Sequence, residues 1–309
     1  MELPIFFMAS GIQFRYNETE KKGAKKYVLK RLNRIIYPYV TLSIIYILIE
    51  LCKIAVKVLI GRPITIENII GLVKQTCSLW GIGALWFLPT IFFSELLLYV
   101  ICRFKWRLLF SILIAFFCYS VNDTMVGIFH SDLLNVPDYV FIIGIRILLA
   151  YVFEYIGYCM EPIYMRINES HINMMKRILC VCVIAIGLFL VQFNIGVNMR
   201  FGYIGNPIIE YLSAAVIMTS IMTLFKDTHN KWIRWLSQNS LLIMGLQSLD
   251  VSIAYKFRSL VENTTSTIQV ILVCLISLGA FMLVAIPITE FVNRKIPFIF
   301  TPIMKDNKI

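Results

Sequence analysis

Hydrophobic stretches of roughly 20 residues recur from one end of this chain to the other, and each is long enough to cross about 30 Å of hydrocarbon as a helix. Lipid offers no hydrogen-bond partners, so a spanning backbone must satisfy itself within helices or in a closed barrel. The apolar runs are continuous and do not alternate, which selects helices. Only 15% of the 309 residues are charged and 59% are apolar, whereas a soluble domain carries about 25% charged residues. The expected architecture is all-α, a polytopic membrane bundle.

Membrane segments are expected near 3–14, 35–60, 83–102, 108–122, 138–160, 178–196, 207–225, 239–255 and 267–288, about nine in all, the first of them short. No internal repeat, low-complexity tract or long linker interrupts the series, so residues 1–309 read as a single transmembrane domain. With the N-terminus outside, 21 Lys and Arg fall in the inward loops and tail and five in the outward loops. That bias places the C-terminus in the cytoplasm of a multi-pass protein of the cell membrane. It also accounts for the net charge of +11 without nucleic acid. The five tryptophans, Trp80, Trp86, Trp106, Trp232 and Trp235, fall at or near span ends, where the indole ring favours the headgroup layer. The first residues carry no basic stretch and no cleavage site follows Leu3 to Phe14, so that run reads as a span and not as a cleaved leader.

The densest charge lies from Lys21 to Arg34, where seven Lys and Arg interleave with apolar residues as in an amphipathic helix lying on the inner membrane face. Within it Arg31 and Arg34 are three residues apart, so a helix puts both guanidinium groups on one face. Two readings follow: a clamp for a phosphate-bearing cofactor, or anchors to anionic lipid. Charges inside spans are costly and therefore informative. Arg146 and, two turns on, Glu154 lie in the fifth segment, Glu95 in the third, Glu50 and Lys53 in the second, and Asp250 in the eighth. They either line a polar cavity or pair with one another across helices, and Lys53 is placed to snorkel. The three histidines, His130, His171 and His229, all fall in loops, which leaves no intramembrane histidine to act as a base. The eight cysteines show no metal-ligand spacing and read as small buried hydrophobes; no metal site is expected.

Several segments, taken in order, resemble the membrane-bound acyltransferase 3 family, transmembrane O-acyltransferases that modify bacterial surface polysaccharides and related acceptors. Leu3 to Gly11 (LPIFFMASG) looks like the family's "PLFFFISG" span, and Lys30 to Tyr39 (KRLNRIIYPY) is similar to its basic loop entering an "IPY" helix. Gly83 to Pro89 (GALWFLP) with Glu95 looks like the "LWFL" segment and its acidic residue. Glu154 to Tyr158 (EYIGY) looks like "YxxGY", and Leu236 to Leu241 (LSQNSL) is similar to "GxNSLxIxxxH".

The resemblance implies transfer of an acyl group, usually acetyl, from cytoplasmic acyl-CoA to a hydroxyl of a cell-surface glycan or lipid-linked sugar, with no bound cofactor. Arg31 and Arg34 coincide with the family's Arg-x-x-Arg motif, which is thought to engage the donor. The catalytic residue stays unassigned because the expected His is absent, with Glu95 a candidate, and Arg146, Glu154, Trp86 and Gln247 are the candidates for a polar cavity. The family's usual first of about ten spans, bearing an Arg and a catalytic His, has no counterpart here, and Gln247 stands where members often have a second His. The chain therefore reads as truncated at its N-terminus relative to the family and is expected to show little or no transferase activity by itself. A glycan-precursor transporter or flippase, or a non-catalytic membrane scaffold, are the competing readings. A composition rich in Ile and Lys fits a bacterial source.

Overall fold

A computed structural model describes residues 2–59, 67–129, 136–169, 174–192, 194, 197–225, 230–246 and 267–295. In chain order the helices are α1 (Glu2–Gln13), α2 (Tyr16–Lys22), α3 (Ala24–Arg31), α4 (Tyr37–Leu59), α5 (Glu67–Cys77), α6 (Phe87–Ile101), α7 (Arg107–Phe129), α8 (Val136–Glu169) and α9 (Met174–Gln192). A two-residue hairpin, β1 (Val197–Asn198) with β2 (Tyr203–Ile204), precedes α10 (Pro207–Phe225), α11 (Lys231–Gly245) and α12 (Thr267–Lys295). The all-α membrane architecture is as expected. Among the described residues six stretches are long and apolar enough to cross a bilayer: Ala24–Cys52, Gly83–Ile101, Arg107–Ile128, Pro137–Arg166, Pro207–Phe225 and Leu275–Lys295. The first expected segment forms a helix too short to span alone, and part of the eighth lies outside the described residues.

Local chemistry explains several boundaries. Gly23, at φ +81°, divides the basic segment into α2 and α3, because that backbone region suits a residue without Cβ. After α3 comes a π-helical turn at Leu32–Ile36 that leads into α4. Pro38 has no N–H for the carbonyl four residues back, and the wider turn just before it accommodates the lost bond. Pro207 opens α10, where a missing N–H costs nothing. Asn230 caps α11 by accepting from the Trp232 N–H at 2.8 Å.

The chain divides into two compact units. The first comprises Met1–Arg31 and Leu88–Thr228. Its tightest helix pair is α1 against α8, where Gly11 meets the Glu154 backbone and Gly157 meets that of Met8. Its core is aromatic: Phe14, Tyr27, Tyr99, Tyr151 and Tyr155 pack with Leu98 and Val152. On α7, Leu108, Ile112 and Phe116 form an outward stripe at helical spacing, 56–66% exposed, a face suited to hydrocarbon.

The second unit comprises Leu32–Phe87 and His229–Ile309. Within it the Tyr39 hydroxyl donates to the Thr76 carbonyl at 2.8 Å, tying α4 to α5, and the Tyr46 hydroxyl donates to the Gly245 carbonyl of α11. Trp80 and Trp86 are buried here. Trp106 and Trp232, by contrast, are exposed at helix ends as the sequence suggested. Among the described cysteines Cys102 and Cys118 are buried, while Cys52, Cys77, Cys159 and Cys182 face outward. Outward faces of a span meet lipid, so apolar thiols need no protein cover there.

Candidate functional site

Charged residues within an apolar bundle must find partners on other helices, and in the first unit four elements converge to supply them. Glu95, 2% exposed, projects from the middle of α6. Arg31, the last residue of α3, reaches it with Nε 2.9 Å from Oε2, its own side chain 20% exposed. The other carboxylate oxygen accepts from Ser10 Oγ of α1 at 2.5 Å. One residue earlier on α6, the Ser94 hydroxyl donates to Glu154 Oε1 of α8 at 2.8 Å, and Glu154 is fully buried. Glu154 lies within electrostatic reach of both Glu95 and Arg31.

The backbone explains why these groups meet. α1 crosses α8 with Gly11 on the Glu154 carbonyl, which sets Ser10 beside the same turn of α8 that carries the carboxyl. Chemically, Ser10, Glu95 and Arg31 form a hydroxyl, a proton acceptor, and a cation that orients the acceptor. Such a carboxylate is suited to take a proton from a hydroxyl.

Tyrosines surround the cluster on one side. Glu95, Tyr99 and Arg103 succeed one another at four-residue spacing, and Glu154 and Tyr158 repeat the step on α8. Tyr27 stacks at 5.0 Å from Tyr99 and carries the Arg31 guanidinium 5.6 Å above its ring.

Of the residues picked from sequence, Arg31, Glu95 and Glu154 are brought together. Arg146 lies fully buried two turns before Glu154 on α8. Arg34 belongs to the second unit, exposed in the π-helical turn. Trp86 is likewise in the second unit, 5% exposed, in the short 3-10 turn Gly83–Trp86. Gln247, Asp250 and the three histidines lie outside the described residues. Ser10, Ser94, Tyr27 and Tyr99 escaped sequence reasoning. The serines carry no distinguishing pattern, but the Glu-x-x-x-Tyr spacing shared by 95–99 and 154–158 was a readable signal. Among the described residues no group of three or more His, Cys, Asp or Glu is placed to hold a metal ion.

A second polar cluster caps the first unit at the hairpin. Asn194 Nδ2 donates to Glu210 Oε2 at 2.9 Å, and its Oδ1 accepts from the Asn206 N–H at 2.5 Å. Asn122 of α7 donates to the Gly205 carbonyl and accepts from the Ile204 N–H. Burial pushes the guanidinium of nearby Arg200 below its ordinary value. These bonds satisfy backbone groups at Ile204, Gly205 and Asn206 and tie the end of the hairpin to α7 and α10.

No curated protein and no solved structure matches the chain. A family model described as an acyltransferase domain matches residues 3–289, from α1 well into α12. The match covers most of the sequence, and the chain belongs to the acyltransferase 3 family.

Proposed function

We propose that this membrane acyltransferase-family protein moves an acyl group, acetyl in the simplest case, from acyl-CoA to a hydroxyl of a cell-surface glycan or lipid-linked sugar. The observation that carries the reading is the Ser10–Glu95–Arg31 arrangement, a carboxylate held by a guanidinium and already accepting a hydroxyl proton. In the reaction the acceptor hydroxyl occupies the place of the Ser10 hydroxyl and yields its proton to Glu95 while its oxygen attacks the thioester carbonyl. The carbon–sulfur bond then breaks, and the departing CoA thiolate takes the proton back from Glu95. Arg31 keeps Glu95 oriented, and Glu154, held by Ser94, adds a second carboxyl to the site.

The proposed setting is a bacterial plasma membrane, with the donor and the C-terminus on the cytoplasmic side. That sidedness draws on the excess of Lys and Arg in alternate loops.

The test measures donor binding and transfer separately, on purified protein in nanodiscs, with labelled acetyl-CoA and a polysaccharide acceptor. Transfer by the wild-type chain that is lost in Glu95→Gln assigns the proton acceptor and sets aside the expectation of little activity drawn from the missing histidine. Transfer that survives in Glu95→Gln moves the base to another residue, whereas wild-type binding without transfer bears out the expectation of little activity. Absence of acetyl-CoA binding overturns the reading.

A further inference from the structure

Two arginines that take no part in the Glu95 cluster are held in a way that surface arginines seldom are. Arg103 and Arg107 flank the turn between α6 and α7, and both are exposed. Arg103 lies 4.6 Å above the Tyr99 ring and donates from Nη2 to the Tyr99 hydroxyl at 2.5 Å. Arg107 lies 5.7 Å above the Tyr158 ring and donates from Nη1 to its hydroxyl at 3.2 Å. Neither forms an ion pair with a carboxylate among the described residues.

The two tyrosines belong to one continuous aromatic chain. Tyr99 meets Tyr27 at 5.0 Å, Tyr27 meets Phe14 at 6.1 Å, and Phe14 meets Tyr158 at 6.1 Å. With Arg31 on Tyr27, three guanidinium groups are mounted on rings that Phe14 links, near the end of α6, on α3 and in the second half of α8. Exposed arginines ordinarily retain rotamer freedom, and like charges ordinarily spread apart. Rings and hydroxyls here fix the cations in place, with most of their N–H donors still turned to the surroundings. That is a preorganised receptor for phosphate oxygens.

We infer that Arg103 and Arg107, mounted on Tyr99 and Tyr158, bind the phosphate groups of the acyl donor, an inference that rests on the acyl-CoA reading above. Spacing supports it. Glu95 and the end of α6 at Ile101 are six residues apart, about 9 Å along the helix, and Arg103 follows in the next turn, a span of the order of an acyl-pantetheine arm. The reacting thioester then lies at Glu95 while the nucleotide phosphates lie at the helix end. Arg31, committed to Glu95, belongs to the reacting end and positions the carboxylate. The two outer arginines sit on rings separated by Tyr27 and Phe14, which suits a ligand with phosphate at two places, a diphosphate and a ribose phosphate.

Phosphate can also come from an anionic lipid headgroup, and the experiment separates the two sources. Binding of CoA is measured by calorimetry on wild type, Arg103→Gln, Arg107→Gln and the two lysine variants, in nanodiscs of phosphatidylcholine alone and with added phosphatidylglycerol. The expected result is a loss of about tenfold or more for each glutamine variant in both lipids. The lysine variants recover part of the loss, and the melting temperature does not change. 3′-Dephospho-CoA binds wild type more weakly than CoA, and one of the two glutamine variants no longer distinguishes them.

Wild-type CoA binding by both glutamine variants overturns the inference. So does an effect confined to retention of phosphatidylglycerol, read by native mass spectrometry. If wild type itself binds no CoA in phosphatidylcholine, the acyl-CoA reading fails first, and that outcome differs visibly from a failure at Arg103 and Arg107 alone.

Discussion

Gly11 of α1 rests on the backbone carbonyl of Glu154 in α8, and a Cβ added at Gly11 would overlap that oxygen. Three residues further along α8, Gly157 stands in the same relation to the Met8 carbonyl of α1. Each helix thus offers a hydrogen atom where the other offers backbone, the close approach that small residues permit in membranes. The crossing also sets Ser10 next to the Glu154 turn, so packing and site geometry depend on the same two glycines.

Substitution of either glycine by alanine is expected to force these helices apart. Gly11→Ala and Gly157→Ala should each cost about 2 kcal/mol or more, read from unfolding in detergent, with loss of donor-dependent activity. Gly127→Ala, which meets open space, is the control and should be neutral. Wild-type stability of Gly11→Ala would refute the packing argument.

The Arg31–Glu95 pair predicts thermodynamic coupling. Removing one partner leaves a charge in a largely dry setting, so Arg31→Gln and Glu95→Gln should each destabilise more than the double variant implies. A double-mutant cycle should return about 1–3 kcal/mol of interaction. Simple additivity would mean the pair is spectator geometry.

Asn239, from the segment that resembles the family's "GxNSL" motif, has a structural task. Its Nδ2 donates to the Trp235 carbonyl at 2.7 Å, and its Oδ1 accepts from Asn293 Nδ2 at 2.6 Å, joining α11 to α12. Asn239→Ala and Asn293→Ala should each cost about 1 kcal/mol, and the double variant should cost little more than the larger single. Full additivity would show that the two do not act as one bond.

At the hairpin, Asn194→Ala strips partners from the buried Glu210 carboxylate and from the Asn206 N–H. A cost of about 2 kcal/mol is expected, with acyl-CoA affinity unchanged because the donor end is built from other residues. Asn194→Asp should be worse, since it sets a second carboxylate against Glu210. A large fall in donor affinity would mean that the hairpin and the Glu95 cluster are coupled.

Sequence reasoning picked Glu95 and Glu154 for a sound reason: a carboxylate among apolar neighbours must be satisfied by something distant. It passed over Ser10 and Ser94, because a serine in an apolar helix bonds its own backbone as readily as anything else, as Ser213 and Ser220 do. It placed Trp80 and Trp86 near the start of the Gly83–Ile101 stretch, where they are, but could not foresee that both rings are buried. It grouped Arg31 with Arg34 by spacing, and spacing could not supply the partner that Arg31 has in Glu95. It treated Arg103 and Arg107 as ordinary inward-loop charge, although Tyr99 lies one turn before Arg103; the tyrosine beneath Arg107, 51 positions away, carries no such local mark.

The helical membrane class and the family are legible in the order of residues. Both follow from properties that act locally or along the whole chain: a bilayer requires long apolar helices whatever their order, and motif order survives without knowledge of contacts. Tertiary structure alone decided which polar groups meet. The Ser10–Glu95 and Ser94–Glu154 bonds join residues 85 and 60 positions apart. No periodicity within a single helix encodes such a pairing; it depends on where α1 crosses α8 and on which turn of α6 faces them.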